Sequence, residues 1–137
     1  MPRERDSASA AFNDSLGRCL EHPRFLERFY EIFLAMSPEV REAFADTDFT
    51  RQTRMLRASL YVVMSAGSIS SGVNEQLERL ATRHHALGVR KYLYGLWLTA
   101  LLHAVAEHDP RFDEEIEQAW RSTLRVGVEF MKRGAPS

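Results

Sequence analysis

One cysteine, Cys19, stands alone among 137 residues, which excludes an intramolecular disulfide and any paired-cysteine metal motif. Net charge is missing as well. Eighteen basic and nineteen acidic residues leave a formal −1, so no overall field attracts nucleic acid or an anionic membrane surface, and neither partner is expected. No apolar run reaches the ~20 residues of a membrane span; Tyr92 to Val105 comes nearest and is interrupted by Thr99 and His103. The opening stretch MPRERDSASAAF lacks the unbroken apolar segment of a secretory signal, and with the unpaired cysteine this points to the cytoplasm. Gly-rich phosphate loops, nucleophile elbows and internal repeats are also missing.

What is present is an ordinary globular balance, 45% hydrophobic and 27% charged, in a length that suits one domain, 1–137, around a single core. Apolar residues recur in steps of three and four almost everywhere and nowhere alternate as in a half-buried strand, so the predicted fold class is all-α. A first helix, about Ser7 to Glu21, aligns Phe12, Leu16, Cys19 and Leu20, and Pro23 is placed to open the next. There, Phe25, Leu26, Phe29, Tyr30, Ile32, Phe33 and Met36 cover more than one stripe, which predicts burial on two sides. Ser37-Pro38-Glu39 reads as a capped start of a short helix ending near Phe44. Met55, Leu56, Leu60 and Val63 define a helix to about Ala66, and Ser65 to Gly72 reads as a loop by composition.

Beyond that loop Val73, Leu77, Leu80, Ala81 and His84 share one face, with Gly88 placed to end the helix. A long helix from about Lys91 to Glu107 uses Leu93, Leu96, Trp97, Ala100, Leu101 and Ala104, and His108-Asp109-Pro110 stops it. The last helix carries Ile116, Trp120, Leu124, Gly127 and Met131 before a tail from Gly134. Its acidic opening, Asp113, Glu114, Glu115 and Glu117, reads as a solvated first turn opposing the positive helix end. Seven or eight helices with short connections result.

Of the five histidines, only His84 combines a strongly apolar face with a following glycine. Two readings fit: a core imidazole bonded to a backbone carbonyl, or the axial ligand of a haem iron facing a dry cleft. His85 lies about 100° further round the helix and reads as a surface residue, the fallback ligand if the helix end is wound differently.

Three blocks then carry a family resemblance: FYEIFLAMSPEVREAF at 29–44, LERLATRHHALGV at 77–89 followed by Tyr94, and AWRSTLRVGVEFM at 119–131. In order and separation they resemble bacterial single-domain globins, relatives of the globin domains of flavohaemoglobins and globin-coupled sensors. The resemblance implies a globin fold around a haem pocket, with haem b as cofactor and His84 as metal ligand in the pattern His84, Gly88, Val89. It implies Phe44 packed on the haem ring, Pro38 opening the helix before it, and Tyr30 presenting its phenol to the bound ligand. Gln52 and Leu56, four apart on one face, match a distal polar residue and an aliphatic pocket wall. No motif anchors that register, and a solvent-exposed Gln52 with a core Leu56 fits the spacing equally. Leu80 and the apolar face from Tyr92 to Leu101 complete the implied walls.

Tyr94 matches a tyrosine that in flavohaemoglobin-like globins joins a glutamate on the last helix to polarise the proximal histidine, favouring O–O cleavage over simple binding. Gly134 stands where that glutamate is expected, and Glu129 lies on a different face. The implied function is therefore reversible binding of oxygen, nitric oxide or carbon monoxide, for oxygen transport or gas sensing, rather than enzymatic turnover. Nitric-oxide or peroxide consumption would need a separate reductase, and sensing would need an effector. Dimerisation through the last two helices, as in sensor globins, is a further implication. The competing class is a haem-free globin-like interaction module whose pocket is filled by side chains.

Overall fold

The computed structural model describes residues 4–65 and 71–136 and forms from them seven helices, with no strand among the described residues. They are α1 (Glu4–Leu20), α2 (Phe25–Met36), α3 (Pro38–Ala43), α4 (Phe49–Ser65), α5 (Ser71–Ala86), α6 (Lys91–His108) and α7 (Glu114–Lys132). The all-α expectation holds.

Local chemistry sets most boundaries. Ser37, in extended backbone, accepts a hydrogen bond on Oγ from the Glu39 N–H at 3.1 Å, with Pro38 in the first turn of α3, the arrangement that its hydroxyl and the missing proline N–H favour. Asp113 caps α7 through Oδ1 and the Ile116 N–H at 2.8 Å, and Glu114, Glu115 and Glu117 follow in the first turn. Gly88 has φ +74°. It closes α5 with paired bonds from Val89 N–H to the His84 carbonyl and from Gly88 N–H to the His85 carbonyl, a left-handed terminus that only glycine adopts without strain.

Three boundaries differ from the sequence expectation. Pro23 sits in the turn before α2 and not in its first turn; the Phe25 N–H bonds to the His22 carbonyl, and the ring occupies a position with no helical donor to lose. Ser71 and Gly72 belong to α5 and Ser65 to α4, because small polar residues that disfavour a helix interior are tolerated in terminal turns; the middle of the expected loop, residues 66–70, lies outside the described residues. α1 begins at Glu4, three residues before the expected start at Ser7.

The broadest contacts are α2 on α6 and α1 on α7, with α5 packed on α7 and α4 on α2 and α1. Phe12, Leu16, Phe25, Phe29, Leu101, Val105 and Trp120 are wholly buried at these crossings. Phe12 meets Trp120 edge to face at 4.8 Å, the offset that aromatic quadrupoles favour. α2 is buried on two sides as its pattern predicts, through Phe25, Leu26, Phe29, Tyr30 and Phe33.

One polar network penetrates this core. Asp109, 3% exposed, accepts from Ser15 Oγ at 2.6 Å, Arg18 Nε at 2.6 Å, Arg18 Nη2 at 3.0 Å and the Arg111 N–H at 2.9 Å. Trp120 Nε1 donates to Ser15 Oγ at 2.9 Å. Burial pushes the Asp109 carboxyl up, but these donors outweigh it and hold it below its ordinary value, so the ionised form is the folded one.

Candidate functional site

α5 directs His84 inward by the spacing that aligns it with Leu80 and Ala81. Its Nδ1 lies 2.8 Å from the Leu80 carbonyl, which assigns the ring proton to Nδ1 and leaves the Nε2 lone pair without a bond among the described residues. Burial lowers its pKa, against the Leu80 carbonyl bond, so the imidazole is neutral at pH 7. A neutral, oriented imidazole is what ligation of a metal requires, and bonding of the second ring nitrogen to a carbonyl is the usual way proteins orient one.

Behind this ring, Tyr94 approaches at 6.2 Å between centroids. Its phenol oxygen is buried and has no partner among the described residues. Its surroundings are Ala81, Met131 and Ala135, with Leu80, Val89, Val128 and Phe130 half-buried around them. Among the described residues no carboxylate bonds to this phenol: Glu129 is largely exposed and pairs with Lys132 at 3.7 Å. Gly134, at φ +78°, lies against the His85 ring, and a Cβ there would stand 3.4 Å from Cε1. The buried hydroxyl carries a desolvation cost with no compensating bond. Tyr94→Phe is therefore expected to raise unfolding free energy by about 1 kcal/mol in urea titration, and a loss of that size would mean that the phenol has a partner.

His85 differs from the surface reading. It is half-buried, and its Nε2 lies 3.0 Å from the Met131 carbonyl, where it satisfies one of the orphan acceptors at the end of α7. The helical wheel of α5 gave the correct direction, away from His84; the packing of α7 against that side was not in the wheel.

The second group of residues lies on α2, α3 and α4. Tyr30 is 5% exposed; burial pushes its pKa up to about 12, with a hydrogen bond to the Gln52 side chain acting the other way. The structure thus brings Tyr30 and Gln52 together, where the sequence left the register of α4 open. That register is set by Asp48, whose Oδ1 accepts from the Thr50 and Arg51 N–H groups and starts the helix just ahead of Gln52. Leu56, one turn on, is buried.

Phe44 packs on Tyr30 at 5.8 Å and on Phe33 at 6.1 Å. Phe49 touches both Tyr30, at 5.5 Å, and Phe44, at 6.0 Å. Sequence reasoning missed Phe49 because it precedes the first periodic apolar residue of α4. Its position directly after the capping Asp48 was the available signal.

Whether these residues suit a haem is testable on the packing itself. In a core where seven large side chains are wholly buried, Phe44, Phe49, Leu80, Val89, Leu96, Trp97 and Leu98 remain half-buried. Apolar side chains left partly uncovered, together with an imidazole nitrogen that has no bond among the described residues, fit a large, flat, apolar cofactor with one ligating position. α4 and α5, which carry the two groups, have at most slight contact with one another among the described residues. Val89 joins the groups, since it packs against both the main core and the Tyr94 cluster. A separate open groove of about 570 Å³, lined by Glu78, Arg79, Thr82, Arg83 and Ala86, runs along the opposite face of α5 and includes none of these residues.

A polar latch lies beside this site. Glu39 at the start of α3 accepts from Tyr92 Oη at 2.8 Å and Arg90 Nη1 at 3.0 Å, and Ser37 Oγ stands 3.1 Å from Tyr92 Oη. It ties α3, near Phe44, to the segment just after Val89.

The comparisons agree with this architecture. A Globin family model matches residues 27–131. The crystal structure of protein PA3967 from Pseudomonas aeruginosa PAO1, described as structurally highly homologous to a human hemoglobin, is similar to this chain with 39% identity and a TM-score of 0.88, over 95% of this chain and 99% of that one. No curated protein matches it. With seven helices in this order, a family match over most of the length and a solved bacterial relative covering nearly all of it, the chain belongs to the globin family.

Proposed function

We propose that this globin holds haem b through His84 Nε2 and reversibly binds a diatomic gas, oxygen, nitric oxide or carbon monoxide. The observation that carries the reading is the His84 imidazole: neutral, oriented by Leu80, half-buried and without a bond at Nε2 among the described residues. Haem, when bound, would supply the iron that binds the gas.

The chain's own residues then do three things. Phe44, Phe49, Leu56, Leu80, Val89 and Trp97 provide an apolar wall that keeps water away. The Tyr30 phenol, un-ionised at neutral pH and pushed further from ionising by burial, keeps its proton to donate toward a ligand carrying partial negative charge, with Gln52 beside it. Tyr94, lacking a carboxylate partner among the described residues, does not draw the imidazole toward the anion. That favours reversible binding over peroxide or nitric-oxide consumption, which would require a separate reductase.

The test is the visible spectrum of purified protein, as isolated and with added haem, reduced and then exposed to carbon monoxide. A histidine-ligated carbon monoxide spectrum supports the reading. No spectral change with added haem would leave a haem-free interaction module. Tyr30→Phe is expected to speed oxygen dissociation about tenfold, the equivalent of one hydrogen bond to a charged acceptor at ~1.5 kcal/mol; an unchanged off-rate in stopped flow would remove Tyr30 from the site.

A further inference from the structure

α4 has two faces of different chemistry. Gln52, Leu56 and Leu60 turn inward, the last two buried. Arg51, Arg54, Met55, Arg57, Ala58 and Tyr61 form the outward face and all are exposed. Helix α4 contains three arginines, no acidic residue and no lysine, in a chain whose formal net charge is −1. Asp48, the carboxylate that immediately precedes the helix, accepts from the Thr50 and Arg51 N–H groups. None of the three arginines forms an ion pair with a described residue, whereas Arg18, Arg24, Arg28, Arg90 and Arg121 all do. Met55 and Tyr61 interleave with them at 39% and 44% exposure.

We infer that the outer face of α4 is a docking surface for an acidic helix of a partner protein. Arginine, methionine and tyrosine are the residues that protein interfaces concentrate and lysine is one that they deplete. Three guanidinium groups spread over about 9 Å of helix match carboxylates spaced three and four residues apart on a facing helix, with Met55 and Tyr61 supplying apolar contact between them. Duplex nucleic acid and anionic bilayers fit less well. They reward an extended field with many phosphate contacts, and the basic surface here is one helix on a slightly acidic chain. Because Gln52 and Leu56 lie on the inner side of the same helix, docking would bear on the Tyr30 side of the site. That coupling rests on the gas-binding reading; the docking does not.

The experiment uses the full chain, with and without added haem, and a fluorescein-labelled helical peptide carrying glutamates at steps of three and four beside leucines, followed by anisotropy and by amide shift mapping. Binding should weaken with added salt and shift amides within 51–61. It should fall at least about tenfold in R54E/R57E, where two attractive pairs become repulsive. R54Q/R57Q should fall between the two, and R125E, an exposed arginine on α7, should change nothing; far-UV circular dichroism reports that each variant is folded.

Binding that survives R54E/R57E, shifts centred elsewhere, or no binding at low salt would overturn the proposal. So would tighter, equally arginine-dependent binding to phosphatidylglycerol vesicles or duplex DNA, which would make this a phosphate-reading surface. Salt-sensitive self-association lost in R54E/R57E would instead assign the face to a second copy of the chain. Peptide binding with no haem spectrum would leave the docking surface standing and remove the gas-binding reading.

Discussion

In the His84→Ala variant, added haem gives no histidine-ligated spectrum, and haem affinity falls by more than about 100-fold. Loss of a partner that merely orients a ligating histidine already costs roughly 10–100-fold, and here the ligating atom itself is deleted. The effect on stability follows by linkage. A ligand bound only to the native state at a hundred times its Kd stabilises by about 2.7 kcal/mol, so the wild-type chain melts higher with haem than without, and His84→Ala shows no such difference. Without haem the substitution is mild, because the Nδ1 bond of His84 goes to the Leu80 carbonyl within its own helix. His85→Ala is the control. It keeps the spectrum and loses the bond to the Met131 carbonyl, at a cost of about 1 kcal/mol. If the two variants exchange behaviour, His85 is the ligand.

Asp109→Ala produces the largest loss of stability that the packing predicts. The carboxylate answers Ser15 Oγ, two nitrogens of Arg18 and the Arg111 N–H, and Ser15 in turn receives Trp120 Nε1. Deleting it strands these donors at the crossing of α1, α6 and α7. Breaking a buried pair by removing one partner typically costs ~3–5 kcal/mol; the lower end applies, since the Arg18 side chain keeps 22% exposure and can rehydrate. A thermal melt should fall by about 10 °C. Asp109→Asn, which keeps the shape and some acceptor capacity, should lose less.

The pH dependence has a definite sign. With the folded pKa below the ordinary 3.8, the unfolded chain takes up the proton first. The stabilisation is therefore full above about pH 4 and is lost as pH falls from the ordinary value through the lowered folded one. Both Asp109 variants should lack this contribution to the acid limb. An acid limb identical to wild type would show that the network contributes nothing.

The two sites differ in how legible they were. His84, Leu80 and Gly88 could be placed on one face and at one helix end because the 3.6-residue period and the need for a left-handed glycine are local rules. The Ser37 cap and the acidic start of α7 are local too, and were read correctly. Asp109 could not be read this way. In the sequence it is one residue of a helix stop, His108-Asp109-Pro110, and its donors Ser15 and Arg18 lie more than ninety positions away. Gln52 shows the intermediate case: its spacing to Leu56 was visible, but only packing α4 on α2 turned it toward Tyr30. Phe49 and the Ser37–Glu39–Arg90–Tyr92 latch likewise join segments with no shared periodicity.

By itself, then, the sequence determined the helices, several of their caps, the near-neutral charge balance and the inward direction of His84. These follow from bonds and rotations within a few residues. Only the tertiary structure decided that Asp109 is a buried anion, that His85 closes the end of α7, that Gln52 is brought to Tyr30, and that the arginines of α4 face outward with no ion pair to a described residue. Each depends on which helices meet, and that is fixed by the simultaneous burial of faces distant in the chain, which no local rule contains.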